Sequence, residues 1–171
     1  MASLKRTKKF LIAPMDWGLG HATRCIPVIN LLLQKKFEVL LAGSGASLQL
    51  LQSTFPGLQS FQLPAYNPVY PKGNGMVWTM AWQLPRFMGV IQQEHKVIYR
   101  IIEHQEVDYL ISDNRYGCYS GKIPSVFLGH QLKIIMPAGW KWMEPIVNAF
   151  NVRQIQKFSY CWVPAPGAKE F

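Results

Sequence analysis

Phe10-Leu11-Ile12-Ala13-Pro14-Met15-Asp16-Trp17-Gly18-Leu19-Gly20-His21-Ala22-Thr23-Arg24 holds, in one short stretch, a strand, a glycine turn and the start of a helix. Phe10 to Ala13 is an apolar run of the kind buried in a parallel sheet, and apolar residues recur at helical spacing from about His21. Gly18 and Gly20 between them predict a tight turn. Such a turn lets another molecule approach the backbone and aims unpaired N–H groups at it. His21 falls at the mouth of the turn, where a ligand would sit.

The same alternation continues outward. Lys5, Arg6, Lys8 and Lys9 read as a solvated leader. Ile26, Ile29, Leu32 and Leu33 mark the buried stripe of the first helix, with Pro27 expected in its first two turns and Lys35-Lys36 at its negative end. A second strand is expected over 37–42, a second glycine turn at Gly43-Ser44-Gly45, a helix over 46–52 and a short strand over 58–63. Strand, helix, strand, helix, strand is the pattern of a parallel sheet covered on both faces. Residues 64–75, rich in Pro, Gly and Asn, read as a long loop. Helix follows to about Gln105, with Leu84, Phe87, Ile91, Ile98 and Ile102 as its buried stripe and Pro85 expected to break it in two. Trp78, Trp82, Phe87 and Met88, near Lys72 and Arg86, read as core packing, with a surface for a greasy acceptor or a bilayer as the sharper alternative. Further strands are expected over 107–112, 124–128 and 160–163, a loop over 132–142 and a helix over 144–157. The expected fold is α/β, a Rossmann-like doubly wound parallel sheet of about six strands.

Composition bounds the function. The 171 residues suit one domain with a real core, and a content of 49% hydrophobic and 13% aromatic residues excludes a disordered chain. A net charge of +9 favours anionic partners. Cys25, Cys118 and Cys161 are widely spaced, without a Cys-x-x-Cys pair, and read as reduced thiols of a cytoplasmic protein. The apolar run after the basic start is too short for a signal peptide, and no stretch reaches the ~18 apolar residues of a membrane span.

In open parallel sheets ligands bind at the carboxyl ends of the strands, where the strand order reverses. Asp16 and His21 follow the first strand, Asp113, Asn114 and Arg115 the fourth, and His130 and Gln131 the fifth. A doubly wound order makes the first and fourth strands neighbours, so His21 and Asp113 would face each other. Taken singly, Asp113 also reads as a turn cap and His21 as a helix cap. A nicotinamide dinucleotide site is excluded on two counts. Thr23 stands where the third glycine of the fingerprint belongs, and Ala42-Gly43-Ser44 offers no acid for the ribose.

Asp16-Trp17-Gly18-Leu19-Gly20-His21-Ala22-Thr23-Arg24, with Ser112-Asp113-Asn114-Arg115-Tyr116-Gly117, resembles the N-terminal half of a nucleotide-sugar glycosyltransferase of the GT-B fold. The nearest group contains the peptidoglycan N-acetylglucosaminyltransferase and its bacterial relatives. The resemblance spans about residues 8–163, and Gly-x-Gly-His-x-x-Arg is its most specific part. In that family two Rossmann-like domains face each other across a cleft, one receiving the acceptor and the other holding the nucleotide sugar. The resemblance therefore implies an acceptor-binding domain over 1–163. It makes 164–171 the start of a linker to a second domain outside this chain. It implies a hexosyltransferase when full length and an inactive fragment alone. No cofactor or metal is implied. The implied partners are a nucleotide-sugar donor, held mainly by the other domain, and a glycan or lipid-linked acceptor. The setting would be bacterial cell-envelope polysaccharide synthesis in the cytoplasm, with peripheral contact at the inner membrane face and no nucleic acid.

An inverting transfer needs a base to take the proton of the acceptor hydroxyl as its oxygen attacks the anomeric carbon. His21 is the expected base, kept neutral by the helix dipole, and Asp113 its orienting partner. Asp16 is the rival base. Gly18 and Gly20 would offer N–H groups to the donor's diphosphate. Arg24, Asn114, Arg115, His130 and Gln131 are expected to line the cleft. The alternative function is a non-catalytic basic domain docking on anionic lipid or nucleic acid. A nucleic-acid binder would interleave aromatics with Lys and Arg, whereas here the aromatics gather in apolar stretches.

Overall fold

The computed structural model of the chain describes residues 6–67, 76–129 and 132–163, with the side chains of 76–81 left aside. Among them β1 (Lys9–Pro14), β2 (Glu38–Gly43), β3 (Ser60–Gln62), β4 (Tyr109–Asp113), β5 (Ser125–Leu128) and β6 (Tyr160–Trp162) form one sheet in the order β3-β2-β1-β4-β5-β6. Every pair is parallel. The helices are α1 (Leu19–Gln34), α2 (Gly45–Thr54), α3 (Met76–Gln105) and α4 (Glu144–Ile155), with a 3-10 turn over Ala138–Met143.

The period of two along each strand divides the core into two layers. Leu11, Ala13, Leu40, Ala42 and Leu110 meet Ile98, Ile101 and Ile102 of α3 on one face. Ile12, Val39, Leu41 and Ile111 meet Ala22, Cys25, Ile29 and Leu32 of α1 and Leu48 and Leu51 of α2 on the other. Each fully buried Leu or Ile is worth about 1.5–3 kcal/mol, so these two layers carry the fold. The strand order reverses between β1 and β4, whose register pairs Pro14 with Asp113. The residues following both strands therefore emerge at one edge, at the crevice where such sheets take ligands.

Several expectations change. Pro85 does not break α3, which runs unbroken through it. The lost N–H bond costs about 3 kcal/mol, and burial of Ile91, Ile98, Ile101 and Ile102 beyond it outweighs that cost. Leu84 is not in the buried stripe but 48% exposed, and Trp82 is 83% exposed rather than core. Phe87 and Met88 do pack inward, against Met15, Tyr66 and Ile91. Pro27 lies inside α1 beyond its first two turns. The expected loop over 132–142 contains the 3-10 turn and is tied to α4, where Asn148 bonds both the N–H and the carbonyl of Ile134.

The leader is not free in solvent along its described part. Arg6 and Lys8 donate to Asp108 at 3.1 and 2.9 Å, and the Lys9 amide donates to its other oxygen at 2.9 Å. Burial opposes ionisation of Asp108, but these hydrogen bonds and the two cations outweigh it and hold the carboxyl below its usual range. Residues 64–67 have no regular structure, as expected. Residues 68–75, Trp78's side chain, His130, Gln131 and the expected linker 164–171 lie outside the described residues.

Candidate active site

The site begins where β1 ends. The Met15 amide still bonds the Asp113 carbonyl at 2.9 Å, so the β1–β4 ladder extends to the very edge. Gly18 then adopts φ +91°, a conformation that side chains strain to reach, and serves as the N-terminal flank of α1. Gly20 is not a turn residue: it lies in the first turn of the helix. Among the described residues a Cβ at either glycine would meet nothing within 4 Å, so none of them crowds either backbone.

His21, Arg24 and Cys25 stand at i, i+3 and i+4 of α1, on one face. That face meets Asp113, the last residue of β4 and fully buried. His21 Nδ1 lies 2.9 Å from Asp113 Oδ1. Arg24 grips the same carboxylate with two nitrogens, Nε at 2.9 Å from Oδ2 and Nη2 on Oδ1. Arg24 Nη2 also lies 3.1 Å from His21 Nδ1. Arginine has only protons to give, and an ionised carboxylate only accepts. With the ring proton on Nδ1, Asp113 Oδ1 is its acceptor and the Nε2 lone pair is left over; with the proton on Nε2, Nδ1 accepts from Arg24 Nη2 instead. Cys25 Sγ is 4.0 Å from Asp113 Oδ2, and burial, then Asp113, push its thiol well above the usual range.

These contacts argue against the two capping roles. Among the described residues α1 has no side-chain cap. The turn after β4 is closed by Ser112, whose hydroxyl donates to the Arg115 carbonyl at 2.7 Å and accepts from the Arg115 amide at 3.2 Å. Asp113 serves α1 instead.

Arg115 corrects the expectation of a cleft-lining contact, being fully buried. Its Nη2 donates to Ser44 Oγ at 2.7 Å and the Pro64 carbonyl at 3.1 Å. Nη1 is 3.2 Å from Glu94 Oε1, and the guanidinium sits 5.6 Å from the Tyr66 ring centroid. Asp16 belongs to this second cluster, with Oδ2 accepting from Ser44 Oγ at 2.7 Å and Oδ1 3.9 Å from Arg115. Glu94 Oε2 accepts from Tyr66 at 2.9 Å and from the Gly117 amide at 2.8 Å. Burial lifts the Glu94 carboxyl above its usual range despite Arg115. The rival base is therefore tied inward, with its side chain 6% exposed, whereas that of His21 is 16% exposed.

Asn114 is left-handed at φ +60°, and its amide bonds the Leu128 carbonyl at 3.1 Å. Over the sealed cluster Trp17, Tyr66 and Phe87 form an aromatic trio with centroids 6.0–6.2 Å apart, Trp17 being 41% exposed. Ser44, Tyr66 and Glu94 were not expected here. Glu94 was discoverable as an acid inside the apolar stripe between Ile91 and Ile98, where a charge demands a buried partner. Among the described residues no group of three His, Cys, Asp or Glu is placed to hold a metal ion.

No protein-family model and no curated protein matches the chain. Solved structures do. MurG of Acinetobacter baumannii matches with a TM-score of 0.56 at 13% identity, over 97% of this chain and 43% of its own. The spinosyn rhamnosyltransferase SpnG matches with 0.57 at 15% identity, over 95% and 48%. A putative UDP-N-acetylglucosamine 2-epimerase from Listeria monocytogenes matches with 0.60 at 11% identity, over 96% and 41%. The chain thus spans less than half the length of each. At such identities likeness speaks for the fold, and the epimerase warns that the fold carries more than one chemistry. The chain has the Rossmann-like fold of one half of a GT-B glycosyltransferase.

Proposed function

We propose that this chain is the N-terminal, acceptor-side domain of an inverting nucleotide-sugar glycosyltransferase, with His21 as the base. The observation that carries this is the His21–Asp113 contact of 2.9 Å beside two glycines whose backbones no described residue crowds. The acceptor hydroxyl approaches Nε2, which takes its proton as the oxygen attacks the anomeric carbon and the bond from that carbon to the donor's diphosphate breaks, the nucleoside diphosphate leaving with the electron pair. The Asp113 carboxylate stabilises the imidazolium that forms and keeps the ring's orientation. The Gly18 and Gly20 N–H groups, at the positive end of α1, suit the donor's diphosphate. The donor itself is held mainly by the second domain of such an enzyme. Asn114 stays a cleft-lining residue in this reading. The acceptor is a glycan or a lipid-linked one: Trp82, Ile135, Trp142 and Ile146 are 62–83% exposed, and Arg86, Lys133 and Lys141 are exposed in the same segments, which suits an anionic membrane surface.

The test is His21→Ala in the active enzyme containing this domain, with turnover and melting point measured together. Loss of a general base lowers turnover by roughly 10²–10⁴-fold and leaves the melting point nearly unchanged. Normal turnover with a lowered melting point would make His21 structural. By calorimetry the 171-residue chain alone should bind nucleotide sugars only weakly and transfer nothing; tight binding would overturn the domain assignment.

A further inference from the structure

Arg24 is the one part of the Gly-x-Gly-His-x-x-Arg turn that the proposed chemistry leaves without work, and its geometry supplies a role. A residue lining the cleft would send its guanidinium towards solvent. Arg24 instead turns inward: its side chain is 24% exposed, and Nε and Nη2 take one oxygen each of Asp113, whose side chain is 0% exposed. The i, i+3 spacing on α1 sets His21 and Arg24 side by side on a single carboxylate. Nη2 of Arg24 and Nδ1 of His21 share Oδ1, 3.1 Å from each other.

We propose that Arg24 is a positioning residue: its two-pronged grip keeps Asp113 ionised and side-on, and so keeps the His21 proton on Nδ1 and the lone pair on Nε2. This rests on the proposed base role of His21. The physical reason lies in what Asp113 would be without it. Its other described side-chain partners are the imidazole and the Cys25 thiol at 4.0 Å, neither of them a fixed cation. A carboxylate with no water and no fixed counter-charge takes up a proton. A protonated Asp113 is a donor, and the atom it would donate to is His21 Nδ1. The ring's own proton then moves to Nε2, which is the wrong tautomer for a base facing the acceptor. Arg24 thus acts on the proton transfer through Asp113 without touching the substrate.

The tautomer can be read on the 171-residue chain itself, without catalysis, from the ¹⁵N shifts of the His21 ring at about two pH units above the ordinary imidazole value of ~6.5. In the unaltered protein the Nδ1–H form should dominate. Arg24→Met should move the ratio towards Nε2–H by on the order of tenfold, the scale of one charge-assisted hydrogen bond. Arg24→Lys, which supplies the charge but not the fork, should fall between. If Arg24→Met does not fold, Arg24→Lys carries the test alone. A ratio that neither variant moves, or an unaltered protein already in the Nε2–H form, overturns the proposal. In the active enzyme Arg24→Met should lower kcat with KM little changed; a raised KM with an unmoved tautomer makes Arg24 a substrate contact instead. Failure of the base role shows separately, as normal turnover in His21→Ala.

Discussion

Two arginine–carboxylate clusters stand at the carboxyl edge of the sheet, built from the same residue types and differing in what can reach them. In the first, Arg24 and His21 from α1 converge on Asp113, and the imidazole and guanidinium remain partly open. In the second, Arg115 lies between Glu94, Ser44, Pro64 and Asp16, with Tyr66 at its face and no exposure of its own. One cluster ends in a partly open imidazole beside glycines that no described residue crowds. The other ties α3, β4 and the chain after β1, β2 and β3 together, and among the described residues Asp16 Oδ1, Glu94 Oε1 and Arg115 Nε and Nη1 lie buried in it without a hydrogen bond. A charged pair becomes a site or a staple according to access, and residue type alone does not distinguish them.

The contrast predicts opposite consequences for loss of one residue from each. His21→Ala should show the larger effect, the 10²–10⁴-fold loss of turnover given above, at nearly constant melting point. Arg115→Met should do the reverse. It strands the buried Glu94 beside Asp16, and chemical denaturation should show a loss of about 3–5 kcal/mol. An Arg115→Met protein as stable as the parent would mean the sealed cluster is not a staple.

A methyl group probes the same difference on a smaller scale. At Gly117 a Cβ would lie 2.5 Å from both Glu94 Oε2 and the Ile91 carbonyl, so Gly117→Ala should cost about 1–3 kcal/mol through forced shifts. At Gly20 it would meet nothing within 4 Å among the described residues, and since Gly20 lies in α1, Gly20→Ala should leave stability unchanged or raise it by up to about 1 kcal/mol. Equal costs at the two positions would erase the distinction between sealed and open.

The smallest expected effect is in the pH dependence of stability. Burial raises the Glu94 carboxyl, so the folded state holds that proton more tightly than the unfolded chain does. The resulting contribution to stability is present in full below the unfolded carboxylate value of ~4.3 and is lost as pH rises through the higher folded value. Melting curves of the parent and Glu94→Gln across that window should therefore converge or cross, the parent losing ground as pH rises. Parallel curves would show that Arg115 cancels the burial entirely.

How far each feature was legible follows from how local its cause is. The apolar runs at 10–13 and 37–42 and the stripe Ile26, Ile29, Leu32, Leu33 announce strand, strand and helix through side-chain period alone, and the observed elements differ mainly at their ends. His21 and Asp113 could be paired because parallel order and strand ends constrain both. Arg115 could not be read: two residues after Asp113, it looked like another cleft residue. Its inward turn depends on Glu94 and Tyr66, brought there by α3 and by an irregular segment whose path no local period describes. Pro85 misled for a similar reason, since the packing that keeps α3 whole lies in strands far away in the chain.

The sequence by itself determined the alternation of strands and helices, the glycine opening before α1 and the placing of His21 and Arg24 on one helical face. These are consequences of backbone freedom and side-chain period acting over a few residues. Tertiary structure alone decided that Asp113 faces α1 while Arg115 turns away from it, and hence which arginine belongs to the open cluster and which to the sealed one. The physical reason is that a buried charge settles where its counter-charges are, and those are supplied by elements that only the folded sheet brings together.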